Sequence, residues 1–229
     1  MDYKEFKRQY AATATDISRD VFFKNQDVMR IKKEKTAVTN LNKIFAAVFS
    51  ITYHKGYQAM SMRDLSLKTG MSLGALYAYF PGKDELLAIM QTQARAMVKG
   101  TLEKFSRAHE NPLEKLRAVV KAHIFLSELF RPWFYFTFME ARNLTPKGFE
   151  AVKSIEEHTQ KIISDILVEG EETGVFKPGK HELTACMIKA MQQEWYLKRW
   201  KYTRQKTSVD QFTDHLLDMV EGFCRINPK

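Results

Sequence analysis

The chain is poor in the residues from which most catalytic and metal-binding sites are built. It has only two cysteines, Cys186 and Cys224, among 229 residues. They are too few and too far apart for a disulfide framework, a zinc knuckle or a C-x-x-C motif. Both fall in apolar helical stripes, as buried, reduced, cytoplasmic thiols would. His54, His109, His123, His158, His181 and His215 show no H-E-x-x-H spacing, and neither a G-x-S-x-G elbow nor a G-x-x-x-x-G-K-[ST] loop occurs. No catalytic residue, metal ligand or cofactor is therefore assigned. Long apolar runs are missing too. With a mean hydropathy of -0.38 and no stretch of about 18 apolar residues, a membrane span is excluded, and nothing after Met1 reads as a signal peptide. Alternation of period two is never sustained long enough for a sheet, which leaves an all-α reading.

Charge, by contrast, is plentiful and unevenly placed. Residues 1–83 hold 14 Lys/Arg against 7 Asp/Glu, whereas residues 84–229 hold 22 against 20, so most of the formal +9 sits in the first third. A duplex backbone rewards that distribution through counterion release. An anionic lipid surface would reward it as well.

The basic third also carries the most specific local pattern, SMRDLSLKTGMSLGALYAYFPGKDELL from Ser61 to Leu87. Ser61 and Asp64 have the spacing of an acidic capping box, which starts a helix. Gly70 ends it with the positive φ that only glycine adopts cheaply. Ser72 then caps a second helix, 73–79, whose Leu73, Leu76, Tyr77 and Phe80 lie three and four apart, and Pro81-Gly82 stops it. Two short helices about a glycine turn are a helix-turn-helix, and small residues at the second N-terminus, here Gly74 and Ala75, let it approach base edges in a major groove about 12 Å wide. Tyr77, Tyr79 and Lys83 offer donors to phosphates. An αα-hairpin in a helical core would share the outline.

These residues resemble the tetracycline-repressor (TetR) family of bacterial regulators. The resemblance rests on Gly56-Tyr57, Ser61, the run Gly70-Met71-Ser72-Leu73-Gly74-Ala75-Leu76-Tyr77-Ala78-Tyr79-Phe80, and Lys83-Asp84-Glu85-Leu86, and covers about residues 40–87. Met71 stands where the family has a small aliphatic residue, and Gly82 where it has Ser. The expected DNA-contacting set is Ser61, Met62, Arg63, Ser72, Leu73, Gly74, Ala75, Tyr77, Tyr79 and Lys83. The partner implied is double-stranded, pseudo-palindromic operator DNA.

Upstream, Leu41, Ile44, Phe45, Val48, Phe49 and Ile51 form the stripe of a helix expected from Asn40 to a C-terminal cap at Gly56. Residues 1–38 read as an extension with one or two short helices, from the spacing of Tyr3, Phe6 and Tyr10 and of Ile17 and Val21, around a weak stretch from Ala11 to Thr15. The run Arg30-Ile31-Lys32-Lys33-Glu34-Lys35 suits a backbone or minor-groove arm, or a solvated linker. The domains expected are an extension (1–38), a DNA-binding head (39–84) and an effector-binding and dimerisation body (85–229).

Breakers divide the body into segments of about 84–109, 112–130, 132–143, 147–173, 181–204 and 208–225, giving nine helices beyond the extension. The segment 132–143 is apolar all round, with Phe130, Phe134 and Phe138 on one stripe and Trp133 and Phe136 off it, so it is expected at the centre of the body. By the resemblance, Met90, Met97, Phe130, Trp133, Phe134, Met139, Met187, Met191 and Trp195 line a pocket for a small hydrophobic or amphipathic effector; the same side chains would also fill a plain core. Apolar stripes at Leu183, Met187, Met191 and Trp195, four apart, and at Val209, Phe212, Leu216, Met219, Val220 and Phe223, at helical spacing, suggest half of a four-helix bundle closed by a second copy. The expected interface is Leu183, Phe212, Leu216, Met219 and Phe223. Glu156, Glu157, His158, Glu169, Glu171 and Glu172 read as a solvated acidic face. Together these features describe a homodimeric, ligand-responsive DNA-binding regulator without membrane attachment, most simply a repressor. An effector-free architectural or cell-cycle protein on the same fold is the competing reading.

Overall fold

A computed structural model describes residues 1–10 and 14–226. Among them the chain forms α1 (Tyr3–Gln9), α2 (Ala14–Lys24), α3 (Glu34–Ala59), α4 (Met62–Thr69), α5 (Leu73–Tyr77), α6 (Lys83–Arg107), α7 (Pro112–Leu129), α8 (Arg131–Glu140), α9 (Pro146–Glu172), α10 (His181–Leu197), α11 (Arg199–Arg204) and α12 (Val209–Cys224). A 3₁₀ turn, Ala141–Asn143, precedes α9, and one isolated antiparallel bridge joins Phe176 to Arg225. The fold is all-α, with a helix-turn-helix head and a larger helical body. Part of the weak stretch from Ala11 to Thr15 lies outside the described residues.

The helices separate into two compact units built from non-contiguous segments: Tyr10–Arg95 with Pro132–Val152, and Met1–Gln9 with Ala96–Arg131 and Lys153–Lys229. In the first, α2 packs on α3, α3 on α4 and α4 on α5. Helix α3 starts at Glu34, ahead of the expected Asn40, because Ala37 and Val38 extend its buried stripe one turn upstream of Leu41. Ile17, Val21 and Phe22 of α2 are buried, and the Ser18 hydroxyl donates to Asn42 Oδ1 at 2.7 Å.

The extension is therefore split between the units, since α1 belongs to the second. There Phe6 is fully buried with its ring 5.7 Å from those of Phe105 and Phe125, and the Tyr3 amide donates to Asp210 Oδ1 at 2.8 Å. Helix α7 is the central element, buried over most of its length from Leu116 to Ser127 and packed by α1, α10 and α12. After α9 the chain turns tightly at Gly174, φ 73°, and the amides of Val175 and Phe176 both donate to the Gly170 carbonyl, at 2.8 and 2.9 Å. The Phe176 ring then lies directly on Gly170.

Two helical expectations are corrected. The segment 181–204 is two helices, broken at Lys198 (φ -119°, ψ 34°). In a straight helix Tyr202 would sit two turns beyond Trp195, whereas the break brings the rings to 5.2 Å. Helix α8 is not buried all round: Trp133, Phe134 and Phe136 are buried, but Phe138 and Met139 are 46% and 39% exposed. The acidic stretch of α9 is solvent-facing as expected and forms surface pairs, Glu169 accepting from Lys115 at 2.6 Å, His158 meeting Glu103 at 3.0 Å and His181 meeting Glu171. Cys186 is exposed, contrary to expectation, while Cys224 is buried. No described helix is long and apolar enough to cross a membrane.

Candidate functional site

The turn between α4 and α5 is built by local capping. The Ser61 amide donates to Asp64 Oδ2 at 2.7 Å and the Asp64 amide to Ser61 Oγ at 3.2 Å, which closes the capping box. Lys55 Nζ lies 2.9 Å from the same carboxylate. Lys55 first, then Ser61, holds that carboxyl well below its usual range. Gly70 takes φ 70° and its amide donates to the Ser66 carbonyl, so α4 ends in a left-handed cap. Ser66 Oγ then donates to the Met71 carbonyl at 2.6 Å, and Ser72 Oγ accepts from the Ala75 amide at 3.2 Å to start α5. One side of α5 is anchored by the buried residues Leu76, Tyr79 and Phe80. The other presents Ser72, Gly74 and Tyr77 to solvent, with Leu73 and Ala75 half-buried.

Of the expected DNA contacts, Ser61, Arg63, Ser72, Gly74 and Tyr77 are exposed on this surface. Met62 and Tyr79 are not. Tyr79 is 1% exposed and its hydroxyl accepts from the Asn40 amide at 2.9 Å, so it belongs to the packing of α5 on α3 rather than to a phosphate-facing surface. Lys83 Nζ donates to the carbonyls of Gln58, at 2.9 Å, and Met60, at 3.4 Å, where it closes the end of α3. Its ammonium also lies 5.7 Å from the centre of the Tyr57 ring.

Two features of this surface were not read from the sequence. Leu67 is 85% exposed on α4 beside Lys68, a leucine that local periodicity alone would have placed in the core. The Arg30 amide donates to the Ala78 carbonyl at 2.9 Å, which fixes the start of the basic run to the end of α5. Arg30, Lys32, Lys33 and Lys35 are all exposed there.

The aromatic helix α8 packs against the same head. Trp133 stands edge-on to Phe45 and Phe49, with ring centres 5.2 and 5.3 Å away, and Phe136 stands edge-on to Phe49 and Tyr57. Gly56, at φ 74° and ψ 165°, breaks the helical path of α3. The Tyr57 amide, left without its helical acceptor, donates to the buried Glu140 carboxylate at 3.2 Å, and the Tyr57 hydroxyl donates to the Lys83 carbonyl. Burial pushes the Tyr57 hydroxyl well above the ordinary phenol range.

The expected effector residues fall in both units. Met90, Trp133, Phe134 and Met139 lie in the first, and Met97, Phe130, Met187, Met191 and Trp195 in the second. Met187 is 61% exposed, so it faces solvent in the chain described. Trp195 is fully buried; its indole N–H donates to Glu128 at 3.0 Å and its ring stacks on Phe212, Tyr202 and the Arg199 guanidinium. A groove of about 600 Å³ in the second unit is walled by charge, including Glu114, Arg117, Lys121, Asp214 and Glu221. Arg117 and Glu221 already pair there at 2.6 Å, and none of the expected effector residues lines this groove.

On α10 and α12, Leu183, Met187, Met219 and Phe223 are between 54% and 63% exposed, forming largely open apolar helix faces, with Lys177 Nζ 5.0 Å from the Phe223 ring centre. Leu216 is 3% exposed, and Phe212 lies 4.8 Å from Trp195. Leu216 therefore packs inside the body rather than on the open face, while Phe212 is half-buried against Trp195.

Residues 44–90 match the model of bacterial regulatory proteins of the tetR family, and residues 109–221 that of the tetracyclin repressor-like C-terminal domain. The chain is 20% identical over 188 residues to the HTH-type transcriptional regulator HbdR of an Aromatoleum species, covering 82% of each protein. It is 24% identical to the HTH-type transcriptional repressor KstR2 of Mycolicibacterium smegmatis, covering 73% of this chain and 82% of that one. The crystal structure of AibR in complex with isovaleryl coenzyme A and operator DNA superposes with a TM-score of 0.68 at 18% identity, covering 77% of this chain and 95% of AibR. From the capped α4–α5 pair through the helical body, the chain belongs to the TetR family of bacterial transcriptional regulators.

Proposed function

We propose that this protein is a repressor that binds a pseudo-palindromic operator as a homodimer in the cytoplasm and is released by a small hydrophobic or amphipathic effector. It is not an enzyme. Residues 39–84, with the basic run from Arg30 to Lys35, form the DNA-contacting part, and residues 85–229 the effector-binding and dimerisation part. The uncovered faces of α10 and α12, through Leu183, Met219 and Phe223, would meet their copies in the partner and set the separation of the two heads. AibR, crystallised with an acyl coenzyme A and operator DNA, supports the effector reading by analogy. Helices α6 and α9 each contribute residues to both units, and α6, which follows the helix-turn-helix directly, is the element through which an effector could act on the head. To induce release, the effector must bind the DNA-incompetent state more tightly, with a typical coupling of about 1–3 kcal/mol.

The observation that carries the DNA reading is Gly74. A Cβ built there meets nothing within 4 Å, and no positive φ demands glycine, so the chain itself does not require the missing side chain. A groove wall approaching the first turn of α5 would. Gly74→Ala is accordingly expected to fold as well as the parent or slightly better, since alanine favours helices by about 0.5–1 kcal/mol. Its affinity for selected operator DNA should fall by about tenfold or more, because an added methyl moves a reading helix off the base edges. Thermal melting and DNA titration of the same sample check both halves. Unchanged operator affinity would move the base-reading surface away from α5.

A further inference from the structure

We propose that Gln192 and Lys189 of α10 anchor the acyl or carboxylate oxygens of the effector inside the second unit, with His123 of α7 and Glu156 of α9 holding Lys189 in place. The proposal rests on the reading of the chain as an effector-responsive regulator.

Gln192 is fully buried, and neither its amide nitrogen nor its amide oxygen has a hydrogen-bond partner. A carboxamide can donate two hydrogen bonds and accept two. Buried amides left wholly unsatisfied are rare in folded proteins, and this one, a turn from a buried lysine, points to a polar guest. One turn earlier, Lys189 is 3% exposed. Its ammonium hydrogen-bonds His123 Nε2 at 3.1 Å and lies 3.6 Å from Glu156 Oε2, while burial pulls its pKa down and Glu156 opposes that shift. Glu156 is itself turned toward Gln193, whose amide donates to its other oxygen at 3.0 Å. With contacts to His123 and Glu156, an ammonium at Lys189 still has one of its three N–H groups to offer a guest. Burial, and then the neighbouring ammonium, keep His123 neutral and able to accept, because both push its imidazole well below the ordinary range.

Spacing puts these groups together. Lys189, Gln192 and Tyr196 are three and four residues apart on one face of α10, and all three are buried. The neighbouring buried positions, Ala185, Ile188 and Trp195, are apolar. An acyl chain lying among such residues would bring its carbonyl or carboxylate oxygen to Lys189 Nζ and Gln192 Nε2, satisfying both at once. An alcohol of equal length would offer one weaker acceptor to the same donors. A free acid and its thioester share the recognised oxygen, so both are candidate sources.

Wild-type protein and Gln192→Leu, each as the full chain, are to be titrated with octanoate, octanoyl coenzyme A and octan-1-ol by calorimetry, with operator binding measured on the same samples. Wild type should bind at least one acyl probe about tenfold or more tightly than octan-1-ol, and the source is whichever of the two binds better. Gln192→Leu should melt no lower than wild type, having lost an unsatisfied amide, and should lose that preference while still binding operator DNA. Wild-type protein that binds operator DNA but shows no preference for either acyl probe overturns the anchor and leaves the regulator reading standing. A Gln192→Leu protein that keeps the wild-type preference overturns it too. Protein that binds no DNA removes the regulator reading and the anchor with it.

Discussion

Glutamate in place of Phe223 or Met219 is expected to leave a folded chain that no longer dimerises and no longer holds its operator. These side chains are 63% and 54% exposed, so the fold does not depend on burying them. In the proposed dimer each substitution is repeated by symmetry and places carboxylates between apolar helix faces; with Lys177 Nζ 5.0 Å from the Phe223 ring centre, Met219→Glu is the less compensated of the two. Removing one partner of a buried charge pair costs about 3–5 kcal/mol, and an unpaired interfacial charge is of the same order, which weakens dimer affinity roughly a hundredfold or more. A single head makes only one half-site contact, so operator binding should fall with it. Sedimentation at micromolar concentration should show a monomer with an unchanged helical signal. A stable Phe223→Glu dimer would place the interface on another surface. Glutamate at Leu216 is a poor test, because that residue is 3% exposed and the variant would unfold for internal reasons.

Gly170→Ala is expected to be the most damaging single-methyl change in the body. The added Cβ would lie 1.9 Å from Phe176 Cδ2 and 2.5 Å from Cε2. The ring cannot swing aside easily, because it is 1% exposed and the Val175 and Phe176 amides are tied to the Gly170 carbonyl. Either the turn opens or α9 shifts, and overpacking of that severity costs about 3 kcal/mol or more. Denaturant unfolding should show the loss, and Phe176→Leu combined with Gly170→Ala should recover part of it, since the two sites share one contact. A loss under about 1 kcal/mol would mean that the ring has room to move.

Local chemistry was the legible part of this sequence. The Ser61–Asp64 box, the Gly70 cap and the Ser72 cap each involve groups within four residues, and each forms as the residues predict. What escaped depends on long-range packing or on helix geometry. Nothing local announces that α1 joins the body through Tyr3 and Asp210, or that Lys83 closes the end of α3. The stripe on α10 does not stay on one face for a simpler reason. A repeat of strictly four residues advances about 40° around a helix at each step, so it cannot stay on one face. Leu183 and Met187 are exposed, Met191 is half-buried and Trp195 is fully buried, which is that drift made visible. The polar residues Lys189 and Gln192 lie between those repeats and were passed over.

The measurement that bears most directly on the regulator account is selection from a pool of randomised duplex DNA by the wild-type protein. The account predicts enrichment of one sequence with two inverted half-sites, bound by a dimer, with affinity falling steeply as salt rises because phosphates are neutralised by the basic head. Failure to enrich any sequence at low salt, from protein shown to be folded and dimeric, would contradict it.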